Sequence, residues 1–356
     1  MSLKALLDTL PIPILQAPML GVSDHRLALA VSEAGGMGAF AGAGLAGADL
    51  GPAIAALKAQ TERPFNVNLL ITRPVAPGQD EIDLALARLA PWYAQSGAPL
   101  PEIPNQYAPD FEGQFSALIQ AAPPVASFAF DVLTAAQVAA LQAAGTYVIG
   151  TATTVAEAKA WAEVGADGVC AQGYEAGGHR GHFLADVGAS LVGLLPLVAT
   201  IRAVIDLPVI AAGGIMDGRG VAAVLALGAS AAQMGTAFLL SDQATTSSPW
   251  RQALAAAPDE ATRLTRAFTG RHARGLENRF MREMRSDEDL VPAYPVQNRL
   301  TQPLRAASTA AGDPEQISLW AGQGARLAAT GDAGARVLRW WEEAKAASSQ
   351  LSARLG

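Results

Sequence analysis

The sequence predicts an α/β protein, a (β/α)8 or TIM barrel with a smaller lid domain inserted after the eighth strand. Short apolar runs that end in glycine alternate with runs of helix length over residues 12–240. Hydrophobic residues make up 51% of the chain and charged residues 16%, which suits parallel strands buried on both faces by helices. The 356 residues exceed one usual core but fit a barrel of about 250 residues with an appendage.

The predicted barrel elements follow one another in a regular order. Pro13 and Pro18 lie near the ends of the first strand, where a missing amide donor is tolerated, and Asp24 caps the next helix. The count of eight rests on pattern, and one false strand would leave an open doubly wound sheet instead. The predicted strands are 12–19, 37–41, 64–70, 125–130, 147–150, 168–173, 208–212 and 231–239, and the predicted helices are 24–34, 53–60, 135–143, 155–164, 190–205 and 221–227.

Two regions depart from this alternation. Residues 71–124 are rich in proline and predict a long insertion that overhangs the barrel mouth. After residue 240 the alternation stops, so we predict a barrel over 1–240, a small substrate or lid domain over 241–310, and C-terminal helices over 311–356 that return to the barrel. Within these regions the sequence predicts helices at 81–95, 111–121, 314–329 and 335–349, a strand at 265–270 and an amphipathic stretch at 278–284, with Trp340 and Trp341 packing against the barrel.

Composition and charge restrict the class of protein. The net charge is -7 and Lys and Arg are scattered, so we expect no nucleic-acid or acidic-lipid partner but a small-molecule one. No segment of membrane-spanning length is free of glycine turns and charge, and Asp8 and Pro11 interrupt the stretch that a signal peptide would need. The single cysteine, Cys170, excludes an internal disulfide and is interpreted as a buried core thiol. We therefore predict a cytoplasmic enzyme, whose oligomeric state the sequence leaves open.

Two glycine-containing segments accompany the last two predicted barrel strands. Gly213 and Gly214 end the seventh strand, and Gly235 and Thr236 lie within the eighth predicted one. Without a Cβ the backbone there turns sharply, and its amides are able to approach an anion. The turns after strands seven and eight of a barrel commonly bind phosphate. A single turn of this kind is equally well explained as a tight βα connection, but two in succession favour a phosphate site.

The candidate catalytic residue is His179, in a glycine-dense loop after the sixth strand. Catalytic groups of this architecture lie at the carboxyl ends of barrel strands, and imidazole exchanges protons near neutral pH. The alternative is a loop histidine satisfied by Glu175. A metal site of Glu175, His179 and His182 is disfavoured, because glycines fill the spacers, and we predict no metal. In the third strand Asn66 and Asn68 share one face, and Asn68 either bonds neighbouring polar groups or meets a polar heterocycle.

Six strings of the sequence together resemble the nitronate monooxygenase family, formerly called 2-nitropropane dioxygenases. They occur in the family's order over nearly the whole chain. The Glu-Ala-Gly-Gly-His string at 175–179 is highly specific but is shared with flavin-dependent enoyl-acyl carrier protein reductases. The strings are Ala-Pro-Met at 17–19, Phe-Asn-Val-Asn at 65–68, Ala-Gln-Gly-Tyr-Glu-Ala-Gly-Gly-His at 171–179, Ala-Ala-Gly-Gly-Ile at 211–215, Gln-Met-Gly-Thr-Ala-Phe at 233–238 and Trp-Ala-Gly-Gln-Gly at 320–324.

This resemblance implies an FMN-dependent monooxygenase that denitrifies alkyl nitronates, such as propionate 3-nitronate, with O2. His179 matches the family's active-site base, and the FMN phosphate is expected on the two glycine turns. In this chain the matching cofactor residues are Ala17, Pro18 and Met19 against the ring, Asn68 and Gln172 on its polar edge, Gly177, Gly178, Gly213, Gly214, Gly235 and Thr236 around ribityl and phosphate, and Gln323 and Gly324 returning to the cofactor.

One departure from the family pattern concerns the substrate pocket. The string Ser-Phe-Ala-Phe-Asp at 127–131 corresponds to a stretch that often reads Ser-Phe-His-Phe-Gly, so Ala129 replaces a pocket histidine. Tyr107 in the insertion and Tyr294 in the lid are candidates for lining the substrate pocket, with plain packing as the alternative for each. The sequence does not decide whether Arg180 and Arg271 steer an anionic substrate.

Two other functions remain open at this point. One is an NAD(P)H-dependent FMN reductase of quinones or enoyl thioesters, which NADH would reduce rapidly without oxygen. The other is a barrel that binds a phosphorylated ligand without turnover, and such a protein would be colourless.

Overall fold

The structure, a computed structural model that describes residues 2–356, contains one sheet of eight parallel strands. Its strands are β1 (Ile14–Gln16), β2 (Gly38–Ala41), β3 (Phe65–Leu70), β4 (Val125–Ala129), β5 (Tyr147–Ala152), β6 (Gly168–Gln172), β8 (Val209–Ala212) and β9 (Ala231–Met234). They pair in the order β1-β9-β8-β6-β5-β4-β3-β2. A bridge between Leu15 and Met37 joins the two edge strands, and the Gln16 amide donates to the Met37 carbonyl at 2.9 Å. The predicted barrel is therefore confirmed.

A second sheet, of three antiparallel strands, lies outside the barrel. Its strands are β7 (Gly178–His179), β10 (Thr262–Thr265) and β11 (Ala273–Leu276), in the order β10-β11-β7.

Helices connect the barrel strands and cover the outside of the sheet, as the hydrophobic pattern predicts. Asp24 caps the second helix by accepting from the Arg26 amide at 2.9 Å. The α-helices are α1 (Leu3–Asp8), α2 (His25–Glu33), α3 (Gly47–Lys58), α4 (Gln79–Ser96), α5 (Phe111–Ala121), α6 (Ala135–Ala143), α7 (Val155–Glu163), α8 (Leu194–Arg202), α9 (Gly218–Ala226), α10 (Ser248–Ala255), α11 (Arg279–Glu283), α12 (Val296–Leu300), α13 (Gln302–Ala311) and α14 (Ala333–Leu355).

Several predicted boundaries are wrong, and local chemistry explains them. The helix predicted at 314–329 is absent. Only the 3-10 turns Pro314–Gln316 and Ala325–Leu327 form there, and Trp320 between them bridges Gly275 in an extended conformation. The eighth barrel strand ends at Met234, because the chain turns into a 3-10 helix after Gly235. The strand predicted at 265–270 lies at Thr262–Thr265 instead, because Gly270 closes a turn by donating to the Arg266 carbonyl at 2.8 Å.

Apolar side chains close the end of the barrel where the strands begin. Leu3 and Leu7 of α1 are at most 2% exposed and pack with Leu15, Ile149 and other inward-facing residues of the strands. A Cβ on Gly168, the first residue of β6, would lie 2.6 Å from the Leu3 side chain. Because this end is filled, a ligand has access only to the opposite end, where the strands finish.

A second hydrophobic cluster lies beyond the barrel. Helix α4 of the insertion packs there against residues 267–304, with Trp92 and Phe280 rings 4.8 Å apart. The Tyr93 hydroxyl also donates to the Leu300 carbonyl. The insertion thus shares a core with the region after β9, which the sequence did not predict. The three predicted domain boundaries stay predictions. Among residues 2–356 no helix is long and apolar enough to cross a membrane.

Candidate active site

A cavity of ≈ 1130 Å³ opens where the barrel strands end. This volume is at or above the upper limit of about 1,000 Å³ for common small-molecule sites, so it accommodates a cofactor together with a substrate. Gln323 does not line the cavity. Its side chain is exposed, and its amide donates to the Glu175 carbonyl at 2.9 Å. The other predicted site residues all line it, namely Ala17, Pro18, Met19, Asn68, Tyr107, Gln172, Gly177, Gly178, His179, Gly213, Gly214, Gly235, Thr236, Tyr294 and Gly324.

The two glycine turns form one wall of the cavity. Gly213 and Gly214 have φ angles of 133° and 69°, in the region that L side chains rarely adopt. The amides of Gly213, Gly214 and Gly235 donate to no acceptor among residues 2–356. The Thr236 hydroxyl accepts from the Gly322 amide at 2.9 Å, which leaves its own proton free to be donated. Unpaired amides beside a hydroxyl are the groups that hold a phosphate, so this wall fits the phosphate end of FMN.

Amide side chains provide polar groups on another part of the wall. The Asn68 nitrogen donates to the carbonyl and the hydroxyl of Ser127, at 3.0 and 3.1 Å, while its oxygen has no partner and stays accessible. Both polar atoms of the Gln172 side chain bond the loop that follows β6 and carries His179, called here the histidine loop. Its oxygen accepts from the Gly181 amide at 2.8 Å, and its nitrogen donates to the His179 carbonyl at 3.0 Å. One N–H of Gln172 remains, so the pair offers an acceptor and a donor to a heterocycle.

Strand pairing outside the barrel positions His179. The two-residue strand β7 pairs antiparallel with β11, so that Ala273 lies opposite His179 and Arg274 opposite Gly178. Gly178 has a φ of 72° and faces open space, whereas a Cβ on Gly177 would lie 2.5 Å from the Gly322 nitrogen. The loop is thereby fixed between the second sheet and the segment 320–324. Sequence reasoning found the residue but not the strand that holds it.

Hydrogen-bond directions assign the tautomer of His179. Its Nε2 lies 2.9 Å from the Thr269 hydroxyl oxygen, and that hydroxyl lies 3.0 Å from the Arg271 carbonyl, to which only it can donate. The imidazole Nε2 therefore carries a proton and donates to Thr269. The opposite nitrogen, Nδ1, has no protein partner and is accessible. A neutral His179 thus has the lone pair of a base at Nδ1.

The surroundings keep this imidazole neutral. Burial, together with the cations of Arg271 and Arg305, lowers the pKa of His179 from 6.5 to about 3. At neutral pH the ring is consequently uncharged and able to accept a proton. The alternative in which Glu175 bonds His179 is wrong. Both carboxylate oxygens of Glu175 instead accept from the Leu194 amide at 3.0 Å, where α8 begins.

Three aromatic rings surround His179. Those of Phe130, Tyr294 and Trp320 lie with their centroids 5.5, 5.6 and 5.6 Å from the imidazole. Phe130 has a φ of 86°, a conformation that is strained for a residue with a Cβ and that often marks functional sites. Ala129 before it, which was expected to replace a pocket histidine, lines the cavity. Sequence reasoning missed Phe130 and Thr269, because nothing in their local pattern indicates a contact with His179.

Arg180 and Arg271 act on the backbone. The Arg180 side chain is 0% exposed and donates to the carbonyls of Gly173 and Ser190, both at 2.7 Å. Arg271 donates to the carbonyls of Arg180 and His182, and its guanidinium lies 4.1 Å from the centroid of the Phe130 ring. Both arginines therefore fix the histidine loop, and neither is among the residues that line the cavity.

Three further groups differ in their access to the cavity, because Cys170 and Arg305 line it and His182 does not. His182 Nδ1 is buried without a partner, away from the cavity, and no group of three or more His, Cys, Asp or Glu in residues 2–356 could hold a metal. Cys170 is 4% exposed, as predicted, and burial raises its pKa to about 12, so it stays a thiol. Arg305 lines the cavity near His179, and sequence reasoning missed it, because its lid helix carries no motif.

Comparisons with known proteins identify the family of the chain. The nitronate monooxygenase family model matches residues 2–335. The chain is 43% identical to a nitronate monooxygenase of Pseudomonas aeruginosa over 89% of its own length and 91% of that protein. A solved nitroalkane oxidase from Streptomyces ansochromogenes is 42% identical, with a TM-score of 0.90, and the match covers 98% of this chain and 99% of that one.

A solved FabK structure from Thermotoga maritima is more distant, at 29% identity and a TM-score of 0.76, with 98% of each chain covered. The family match covers most of the chain, and the curated relative is similar in both sequence and length. The chain therefore belongs to the nitronate monooxygenase family and is an oxidoreductase.

Proposed function

We propose that this protein is an FMN-dependent enzyme that oxidatively denitrifies alkyl nitronates, such as propionate 3-nitronate, with O2. The observation that carries the proposal is the neutral imidazole of His179, with its free Nδ1, in the same cavity as the unpaired amides of Gly213, Gly214 and Gly235. The family membership and the relatives' names support this activity. The family match over residues 2–335 also supports a small-molecule substrate.

Different residues of the chain would bind the cofactor and accept the proton of the substrate. When bound, FMN would supply the ring that takes electrons from the substrate and passes them to O2. The glycine amides and Thr236 would hold its phosphate, and Asn68 and Gln172 would bond the polar edge of the ring. A nitronate already lacks the α-proton, so it would transfer no proton to His179. A neutral nitroalkane would first give its α-proton to Nδ1 of His179.

A visible spectrum and oxygen-electrode traces test the proposal. Purified protein should be yellow, release FMN on denaturation, and consume O2 with propionate 3-nitronate or ethyl nitronate. A yellow protein without oxygen uptake on any nitronate would refute the substrate. Rapid bleaching by NADH under anaerobic conditions would instead favour the reductase, and a colourless protein would favour a barrel that binds phosphorylated ligands.

A further inference from the structure

An unpaired cation lies in the wall of the cavity. Four side chains that line it are acidic, basic or imidazole groups: Asp110, His179, Arg299 and Arg305. Asp110 is exposed and caps α5 by accepting from the Gly113 amide at 2.8 Å. With His179 neutral, the inner wall is positive, although the whole chain carries a net charge of -7.

Arg305 of α13 has no acidic partner. None of the ion pairs in residues 2–356 includes it. Its Nη2 donates to the carbonyl and the side-chain oxygen of Asn298, at 2.7 and 2.9 Å, and its Nε is buried without an acceptor. Its Nη1 also has no protein acceptor but stays accessible. The guanidinium is therefore held at one nitrogen and offers another to a ligand.

A desolvated cation without an anionic partner lowers the free energy of unfolding. Burial lowers the pKa of Arg305 to about 10, and the groups that oppose this shift are the phenols of Tyr294 and Tyr93, which are neutral at pH 7. A desolvated charge without a partner is destabilising, and a bound carboxylate would offset that cost. A ligand with an alkyl group in place of the carboxylate would leave the guanidinium unpaired.

We propose that Arg305 binds a carboxylate at the end of the substrate remote from the reacting carbon, and so makes the enzyme selective for carboxylate-bearing nitronates. This rests on the proposed function, because the reacting carbon is taken to lie at His179. There the rings of Phe130, Tyr294 and Trp320 surround the imidazole, so the second anionic group of the substrate needs a partner elsewhere in the cavity. Arg305 Nη1 is a cationic donor available for the other end, whereas Arg299, the other cation of the wall, donates to Gln302 Oε1 at 2.7 Å.

Two substrates of matched shape test the selectivity. Propionate 3-nitronate ends in a carboxylate, and 3-methylbutyl nitronate ends in a neutral isopropyl group of similar size. In the FMN-loaded full chain, Arg305→Met should lower kcat/KM for the first by about 10- to 150-fold, the value of a hydrogen bond to a charged group. It should change the second by less than about threefold. The control Arg299→Met removes a cation that donates to Gln302 Oε1 at 2.7 Å, and it should leave the ratio of the two substrates unchanged.

Binding by the unaltered enzyme tests the same proposal without a variant. Succinate and 4-methylpentanoate are unreactive analogues of the two nitronates, so isothermal titration calorimetry should show at least tenfold tighter binding of succinate. Equal binding of the two acids would overturn the role of Arg305, as would an equal loss on both nitronates in Arg305→Met. If the wild-type enzyme oxidises neither nitronate but still prefers succinate, the proposed function fails while the carboxylate site stands.

Discussion

Replacing Thr269 with valine should lower kcat/KM for a neutral nitroalkane but not for a nitronate. Valine keeps the shape of threonine but removes the hydroxyl that accepts from His179 Nε2 at 2.9 Å. Thr269 is 1% exposed, so the N–H of His179 loses its acceptor in a buried site. The ring is then free to turn or to move its proton to Nδ1, and either change removes the base.

The size of the effect follows from that single bond. A buried donor left without its acceptor costs about 1 to 3 kcal/mol, which corresponds to about 5- to 150-fold in rate. The loss should fall on neutral nitroethane, whose α-proton must be removed. Ethyl nitronate has already lost that proton, so its kcat/KM should change by less than about threefold.

The assay compares kcat/KM for nitroethane and ethyl nitronate in an oxygen electrode, each from pH 5 to pH 9. Thr269→Ser keeps the hydroxyl and serves as the matched control, which should retain the wild-type ratio of the two substrates. Thermal unfolding of all three proteins reports a purely structural effect. If Thr269→Val lowers kcat/KM for both substrates by the same factor, or for neither, then Thr269 does not set the tautomer of His179.

Three further predictions concern the base, the phosphate wall and pH. His179→Ala should keep the visible FMN spectrum but lose most turnover of nitroethane, and unchanged turnover would remove His179 from the mechanism. Gly214→Ala should lower the ratio of flavin to protein, because φ is 69° and the new Cβ would lie 3.1 Å from the Glu175 side chain, whereas Gly145→Ala, with a φ of 87° in open space, should retain the flavin. Burial lowers the pKa values of His179 and His182 to about 3 and about 4, so the unfolded chain binds more protons below pH 6.5, and stability should fall as the pH drops from 6.5 towards 4. Urea midpoints at pH 7.5 and 5.0 should differ less in His179→Gln than in the wild type, and equal differences would contradict the lowered pKa of His179.

Local patterns in the sequence account for the barrel. Apolar runs and glycines are short-range signals, so they predicted all eight barrel strands and the two turns that line the cavity. They failed where glycines interrupt a run. The helix expected at 314–329 does not form, because Gly322 and Gly324 pack closely on Glu175 and Met216, where a side chain would clash.

The sequence by itself determined the fold class, the glycine turns and the identity of His179 as the candidate base. Only the tertiary structure decided which nitrogen of that histidine is free, because Thr269 lies 90 residues away along the chain. The same holds for the ring of Phe130 in its positive-φ conformation and for the unpaired guanidinium of Arg305. Each depends on contacts between segments far apart in sequence, and such contacts leave no periodicity or motif in either segment.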